Sequence, residues 1–388
     1  MEQESFKTLP FKTIAEVTDE SVRYIQARKD KTIVPLKTRW SKFNKVCCGG
    51  LEPNMILTIA GGSGSGKSAF ANTLETDLID LNTDQDIVIL DFSFEMLSYR
   101  QIGRKLSNRL RRTTSELYSA NDSIDDATLD KVKEEAEKIK KYQIFYIDTP
   151  STVESIEKTI DYFHETIAKD KWLIVILDHA LLVEGESERG TIVDLQKMFI
   201  RKKKLSNTSI IQISQMNRNI EQPDRINNPS MHYPMRSDLA ASDAIFQASD
   251  YVIALSRPEL LNILSYGVNR LPVKDKVYLH FLKVRDAGEP CILEFNNELK
   301  YGNLIEASPS TTMQHTVVFN NSYKAAATSI QLGATKMLNG RDLKANEFTF
   351  VLKDKDGKVV SEALNTANGL IQFDKLNFEA LAEELVPR

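Results

Sequence analysis

The chain has 388 residues, is 41% hydrophobic and 27% charged, and carries 50 basic against 54 acidic side chains, a net charge of −4. That length allows more than one domain and a core that needs no disulfide staples. The balance excludes a strongly basic nucleic-acid-binding domain, though not a local patch or a channel shared between copies.

Cys47 and Cys48 are adjacent and Cys291 is distant, so neither a disulfide framework nor a CxxC ligand pair is present. That suits a reducing cytoplasm. No apolar run approaches the ~18 residues of a membrane helix, and the start MEQESFKTLP lacks a signal-peptide core. The expected location is cytoplasmic, with no membrane partner.

Residues 12–30 read as a helix with an apolar stripe of Ile14, Val17, Val22 and Ile25, and Thr18 as a possible cap. ILTIA (56–60) reads as a strand buried on both faces. It is followed by Gly61-Gly62-Ser63-Gly64-Ser65-Gly66-Lys67-Ser68-Ala69, which opens a helix over 67–82. The pattern G-x-x-x-x-G-K-[ST] between a strand and a helix is a phosphate-binding loop. Glycines let successive backbone N–H groups face phosphate oxygens, and the helix N-terminus adds partial positive charge. Lys67 would reach the β- and γ-phosphates of ATP, and Ser68 would hold Mg²⁺.

Further strands read at 86–93, 143–148, 172–178, 209–215, 251–256 and 277–284, with helical patterns at 124–141, 152–169 and 191–205. Strands alternating with helices predict an α/β domain with a mostly parallel sheet. Several strand ends carry polar groups. Asp178 could support the metal or simply cap a turn. Glu95 could polarise the attacking water or be a helix N-terminal charge. Gln215 could sense the γ-phosphate or be structural. Lys283 and Arg285, two apart on a strand, point to one side. They form either a phosphate-directed pair or a solvated edge.

Beyond about residue 305 the pattern changes. SPSTTMQ (308–314) reads as a linker. VVFNNSY, EFTFVLKD and LIQFDKLNF alternate apolar and polar residues, and the turns DKDG (354–357) and TANG (366–369) are hairpin signals. Residues 315–384 therefore read as a small all-β module. The last residues, 385–388 (LVPR), resemble the remnant of a thrombin-cleaved tag. The expected organisation is a lead-in helix over 1–36, an α/β domain over 37–306, a linker over 307–314, the β module over 315–384 and the remnant.

Taken in order, TRWSKFNKVCCGGLEPNMILTIAGGSGSGKSAFANTL, FSFEM, LIVILDH, IIQISQMNRNIEQ, RSDLAASDAIFQASDYVIALSRPE and FLKVRDAGEP with FNNELKYGNL resemble the C-terminal, RecA-like motor domain of DnaB-type replicative helicases. The resemblance covers residues 12–306. It implies a RecA-like P-loop NTPase fold and an ATP-hydrolysing hexameric ring on single-stranded DNA. It assigns Glu95 as the catalytic glutamate, Asp178 as the Walker B aspartate and Gln215 as the phosphate sensor. Lys283 and Arg285 become an arginine-finger pair acting in trans, and the 12–30 helix a linker that docks on the next subunit. A primase or helicase loader is an implied partner, and a phage or mobile-element version is the implied source.

Two departures from the family pattern bear on DNA. Ala240 and Ala241 stand where an Arg-Glu pair is usual, and the 184–190 loop (EGESERG) is acidic. Basic candidates for DNA contact are RKLSNRLRR (104–112), RKKK (201–204), Arg218, Arg225 and Arg236, though such runs are more often a solvated helix face. The alternative function is an oligomeric regulatory or recombination-mediator ATPase that does not unwind. The tail, separately, resembles the first half of a pilin-type β-sandwich of Gram-positive surface proteins. In that resemblance Lys336 matches the lysine that forms an isopeptide bond.

Overall fold

The computed structural model describes residues 10–239, 242–285, 291–307 and 328–378. Ala240, Ala241, the 308–314 linker, the segment VVFNNSY and residues 385–388 lie outside the described residues. The chain divides into two compact units, Met1–Ser310 and Thr311–Arg388.

The first unit runs α1 (Ile14–Lys29), α2 (Ser41–Val46), β1 (Ile56–Gly61), α3 (Lys67–Asp80), β2 (Ile87–Ser93), α4 (Ser98–Leu110), α5 (Thr114–Leu117), α6 (Asp126–Ile139), β3 (Ile144–Ile147) and α7 (Val153–Glu165). It continues β4 (Trp172–Asp178), α8 (Glu188–Lys202), β5 (Thr208–Gln215), α9 (Pro223–Ile226), α10 (Ser242–Ala248), β6 (Tyr251–Ser256), β7 (Lys276–Val284), β8 (Ile292–Glu298) and β9 (Asn303–Glu306). The nine strands form one sheet in the order β3-β2-β4-β5-β1-β6-β7-β8-β9. β3 through β6 pair in parallel, and β7, β8 and β9 extend the sheet antiparallel. The expected α/β architecture is thus present.

Both faces of β1, β2, β4, β5 and β6 are buried, and the edge strand β3 is partly exposed. Leu57 and Ile59 join one core with Phe70, Leu74 and Trp40, while Ile56, Val88 and Leu90 join another with Ile160, Leu195 and Phe199. Trp40 stacks on Phe70 at 4.2 Å between ring centroids and donates its indole N–H to the Leu304 carbonyl at 2.8 Å. One side chain therefore ties the lead-in segment to the phosphate-loop helix and the final strand.

Two sequence expectations change. The cap of α1 is Thr13, in a reciprocal box with Glu16, and Thr18 lies inside the helix with its hydroxyl donating to the Ile14 carbonyl. No residue of α1 is buried, so its apolar stripe faces outward. The reading of 104–112 as a solvated helix face also changes: within α4, Lys105 and Ser107 are buried, along with Gln101 and Gly103.

The second unit has β10 (Thr328–Thr335), β11 (Thr349–Lys353), β12 (Val359–Leu364) and β13 (Leu370–Phe378). β11 and β12 form the hairpin expected around DKDG. The TANG turn does not close a hairpin, because β13 pairs with β10 instead. The buried Asn365 accepts from the Phe348 N–H at 2.8 Å and donates to the Lys344 carbonyl at 2.7 Å, which turns the chain out of the β11–β12 sheet. Lys336 lies just after β10 with its Nζ 5.2 Å from the centre of the Phe348 ring.

Candidate nucleotide site

The carboxyl ends of β1, β2, β4, β5 and β6 lie side by side: Gly61 is opposite Gln215 and Leu255, and Ser93 is opposite Asp178. Open α/β sheets bind ligands at this end of their strands. The loop from Gly61 to Gly66 leads straight into α3, whose N-cap Gly66 has φ +101°. A β-carbon at Gly66 would lie 2.8 Å from the Leu299 side chain, so the position needs glycine for both conformation and space. Leu299 belongs to the short 3-10 turn between β8 and β9.

Lys67 is buried at the start of α3, and its ammonium donates to the carbonyls of Gly61 at 2.9 Å and Gly62 at 2.8 Å. Burial lowers its proton affinity, opposed by the carboxylates of Glu95 and Asp178. Ser68 lies beside the carboxyl of Asp178 and favours its charged form. Burial, then the charge of Glu95, push its pKa up to about 6, against the pull of Ser68, Lys67 and Arg104. A buried carboxylate held at that cost favours a cation beside it. Ser68 and Asp178 are the hard oxygen donors that magnesium takes alongside nucleotide phosphates and water. Among the described residues no group of three or more His, Cys, Asp or Glu side chains could hold a metal ion. Magnesium shared with phosphates does not require one.

Glu95 follows β2, and its backbone N–H donates to the Asp178 carbonyl at 3.2 Å. Its exposed carboxylate lies 4.0 Å from His179 Nε2, and burial keeps that imidazole's pKa low. Gln215 sits half-buried at the end of β5, next to Gly61. The structure thus brings Lys67, Ser68, Glu95, Asp178 and Gln215 to one end of the sheet.

Lys283 and Arg285 lie elsewhere. Arg285 Nη1 pairs with Asp250 Oδ1 at 2.7 Å, and Lys283 Nζ donates to the Phe246 carbonyl at 2.6 Å. Asp250 also accepts the Ile56 N–H at 2.8 Å, at the amino end of β1. From Ile56 to Gly61 the strand advances about 17 Å at roughly 3.3 Å per residue. That is beyond the reach of the Arg285 side chain toward its own phosphate loop.

Sequence reasoning missed Arg104 as part of this site: it is a half-buried cation on α4 whose proton affinity burial lowers, opposed by the carboxylates of Asp178 and Glu95. It stood unnoticed inside the basic run 104–112. The rest of that run is engaged internally: Lys105 with Glu75, Arg109 with Asp80 and Glu135, Arg111 with Glu298, and Arg112 with Glu116. Arg201, Lys202 and Lys203 pair with Glu157, Asp161 and Asp250. Arg225 is buried against Asp238, so it is not a DNA contact, and Arg236 pairs with Asp243. Arg218 is exposed.

Among the described residues no helix is long and apolar enough to cross a membrane. No curated protein matches the chain. Among solved structures it is similar to one described as an ATPase domain, with a TM-score of 0.63 and 20% identity over 75% of this chain and 98% of that one. It is also similar to a structure of a DnaB-like replicative helicase and its interactions with primase, with a TM-score of 0.63 and 19% identity over 77% of this chain and 68% of that one. At such identities the likeness speaks for the fold. The family match is direct: residues 35–287 match the DnaB-like helicase C-terminal domain, and the chain belongs to that family.

Proposed function

We propose that the protein is an ATP-driven motor that translocates on single-stranded DNA and unwinds duplex as a ring, in the hexameric manner of replicative helicases. Family membership implies a nucleotide-hydrolysing enzyme. In this reading Lys67 exchanges the Gly61 and Gly62 carbonyls for the β- and γ-phosphates of ATP. Ser68 and Asp178 would hold magnesium, which when bound neutralises charge on those phosphates. Glu95 orients the attacking water and accepts its proton, and Gln215 hydrogen-bonds the γ-phosphate. The loop backbone over Gly61, Gly62, Ser63, Gly64, Ser65 and Gly66, continuing to Ala69, cradles the phosphates.

The observation that carries the ring is the separation of Arg285 from the phosphate loop along β1. A finger that cannot reach its own nucleotide serves a neighbour's. There it stabilises charge on the transferring phosphoryl group, an effect of about 10³–10⁵ in rate. The outward apolar stripe of α1 supports docking on an adjacent subunit. A primase or loader is a further proposed partner.

The test is whether single-stranded DNA stimulates ATP turnover and whether a forked duplex is separated. Absence of both effects would sink the helicase reading. A second reading, an oligomeric regulatory or recombination-mediator ATPase without unwinding, is favoured by one observation: Glu184, Glu186 and Glu188 are all exposed before and at the start of α8. The C-terminal unit is read as half of a pilin-type β-sandwich, supported by its two small antiparallel sheets and by Lys336 beside Phe348.

A further inference from the structure

Behind the phosphate-binding end of the sheet lies a small cavity lined by Ser68, Asn72, Glu75, Asp91, Gln101 and Asp178, among others. The space open to the centre of a water molecule is about 10 Å³, room for a single water.

Most of the polar groups around it are already satisfied. Lys105 and Glu75 form a sealed ion pair, and the Tyr146 hydroxyl donates to Glu75 Oε1 at 3.1 Å. Gln101 donates to Ser93 Oγ at 2.8 Å, and Asn72 donates to Gln101 Oε1 at 3.1 Å. Two oxygens are not satisfied: Oδ1 of Asp91 and Oδ1 of Asp178 are buried without a hydrogen-bond partner. Asp91 is only 4% exposed, so bulk water does not serve it. An orphaned buried acceptor costs about 1–3 kcal/mol.

Register puts the two carboxylates on the same face. Asp91 on β2 is opposite Ile176 on the adjacent parallel strand β4, and Asp178 is two residues further along. A water molecule has two hydrogens to donate, one for each orphaned oxygen.

We propose that Asp91 is a positioning residue for the metal site: one water in this cavity donates to Asp91 Oδ1 and Asp178 Oδ1 and holds the Asp178 carboxylate in the orientation magnesium requires. The inference rests on reading Asp178 as a metal-supporting residue. Ligating carboxylates are commonly fixed by such outer partners, whose loss costs about 10–100-fold in metal affinity.

The test uses the full chain with Mn²⁺ and ADP, following Mn²⁺ by electron paramagnetic resonance, and ADP alone without metal. Asp91→Leu keeps the bulk and removes both oxygens. It should weaken Mn²⁺ binding about 10–100-fold and leave metal-free ADP binding unchanged. Asp91→Asn keeps an acceptor and should stay close to the unmodified protein. Unchanged Mn²⁺ affinity in Asp91→Leu overturns the proposal, as does an equal loss of metal-free ADP binding. If that variant does not fold, a crystal structure of the unmodified protein decides. A water within hydrogen-bond distance of both oxygens supports the proposal, and an empty cavity overturns it. Unchanged Mn²⁺ affinity in Asp178→Ala would remove the metal-site reading itself, a result distinct from failure at Asp91 alone.

Discussion

The two ends of strand β1 are built on opposite terms. At the carboxyl end, buried polar atoms lack partners: Ser65 Oγ, Asp178 Oδ1 and His179 Nδ1. At the amino end, Asp250 is saturated, accepting from the Ile56 N–H, from Lys203 and from Arg285. Native proteins rarely bury unmatched polar groups, so a cluster of them marks where a ligand completes the site. The saturated end holds its cations in place against a buried carboxylate; in the proposed ring they would face the neighbouring subunit's nucleotide.

The largest test of this contrast is Lys67→Ala, which should reduce ATP turnover to background in a steady-state phosphate-release assay. Arg285→Ala acts at the other end. It should leave fluorescent-ADP binding intact and lower turnover about 10³-fold or more. Mixing it with Glu95→Ala subunits should restore a fraction of sites, whereas full activity of Arg285→Ala alone refutes the trans assignment.

Asp250→Ala removes the hub of the saturated end and should destabilise the first unit by about 2 kcal/mol in chemical denaturation, the scale of hydrogen bonds to a charged group. Between the two ends, β7 carries His280, whose Nε2 meets the Tyr266 hydroxyl at 2.8 Å. Burial lowers its pKa from 6.5 to about 3. The unfolded chain therefore takes up a proton below pH 6.5 that the folded chain refuses. The stability tied to neutral His280 is complete above pH 6.5 and lost as pH falls toward 3, by up to about 1.4 kcal/mol per pH unit. His280→Gln should flatten that part of the stability–pH curve. The smallest effect is expected for Ser65→Ala: its buried hydroxyl has no partner, so its removal should leave stability without nucleotide unchanged or raise it by about 1 kcal/mol. A loss of several kcal/mol there would break the contrast.

What could be read from the residues follows the same division. The phosphate loop and the strand-end groups Glu95, Asp178 and Gln215 were legible because a parallel sheet gathers the carboxyl ends of its strands along one edge, whatever their order in the chain. The network of Glu75, Asp91, Lys105 and Tyr146 was not legible. Its members come from α3, β2, α4 and β3, and each looks alone like a surface charge or a strand aromatic. Arg225 misled for the converse reason: a cation beside a loop reads as exposed until the fold buries it against Asp238. The TANG turn misled because turn residues specify a reversal, not which strand receives it.

The grip of Lys67 on Gly61 and Gly62 means that the resting loop is occupied by its own side chain. In the proposed cycle each round of loading is then a displacement, with two neutral acceptors giving way to anionic phosphate oxygens, so the empty loop keeps its lysine bonded inward rather than free.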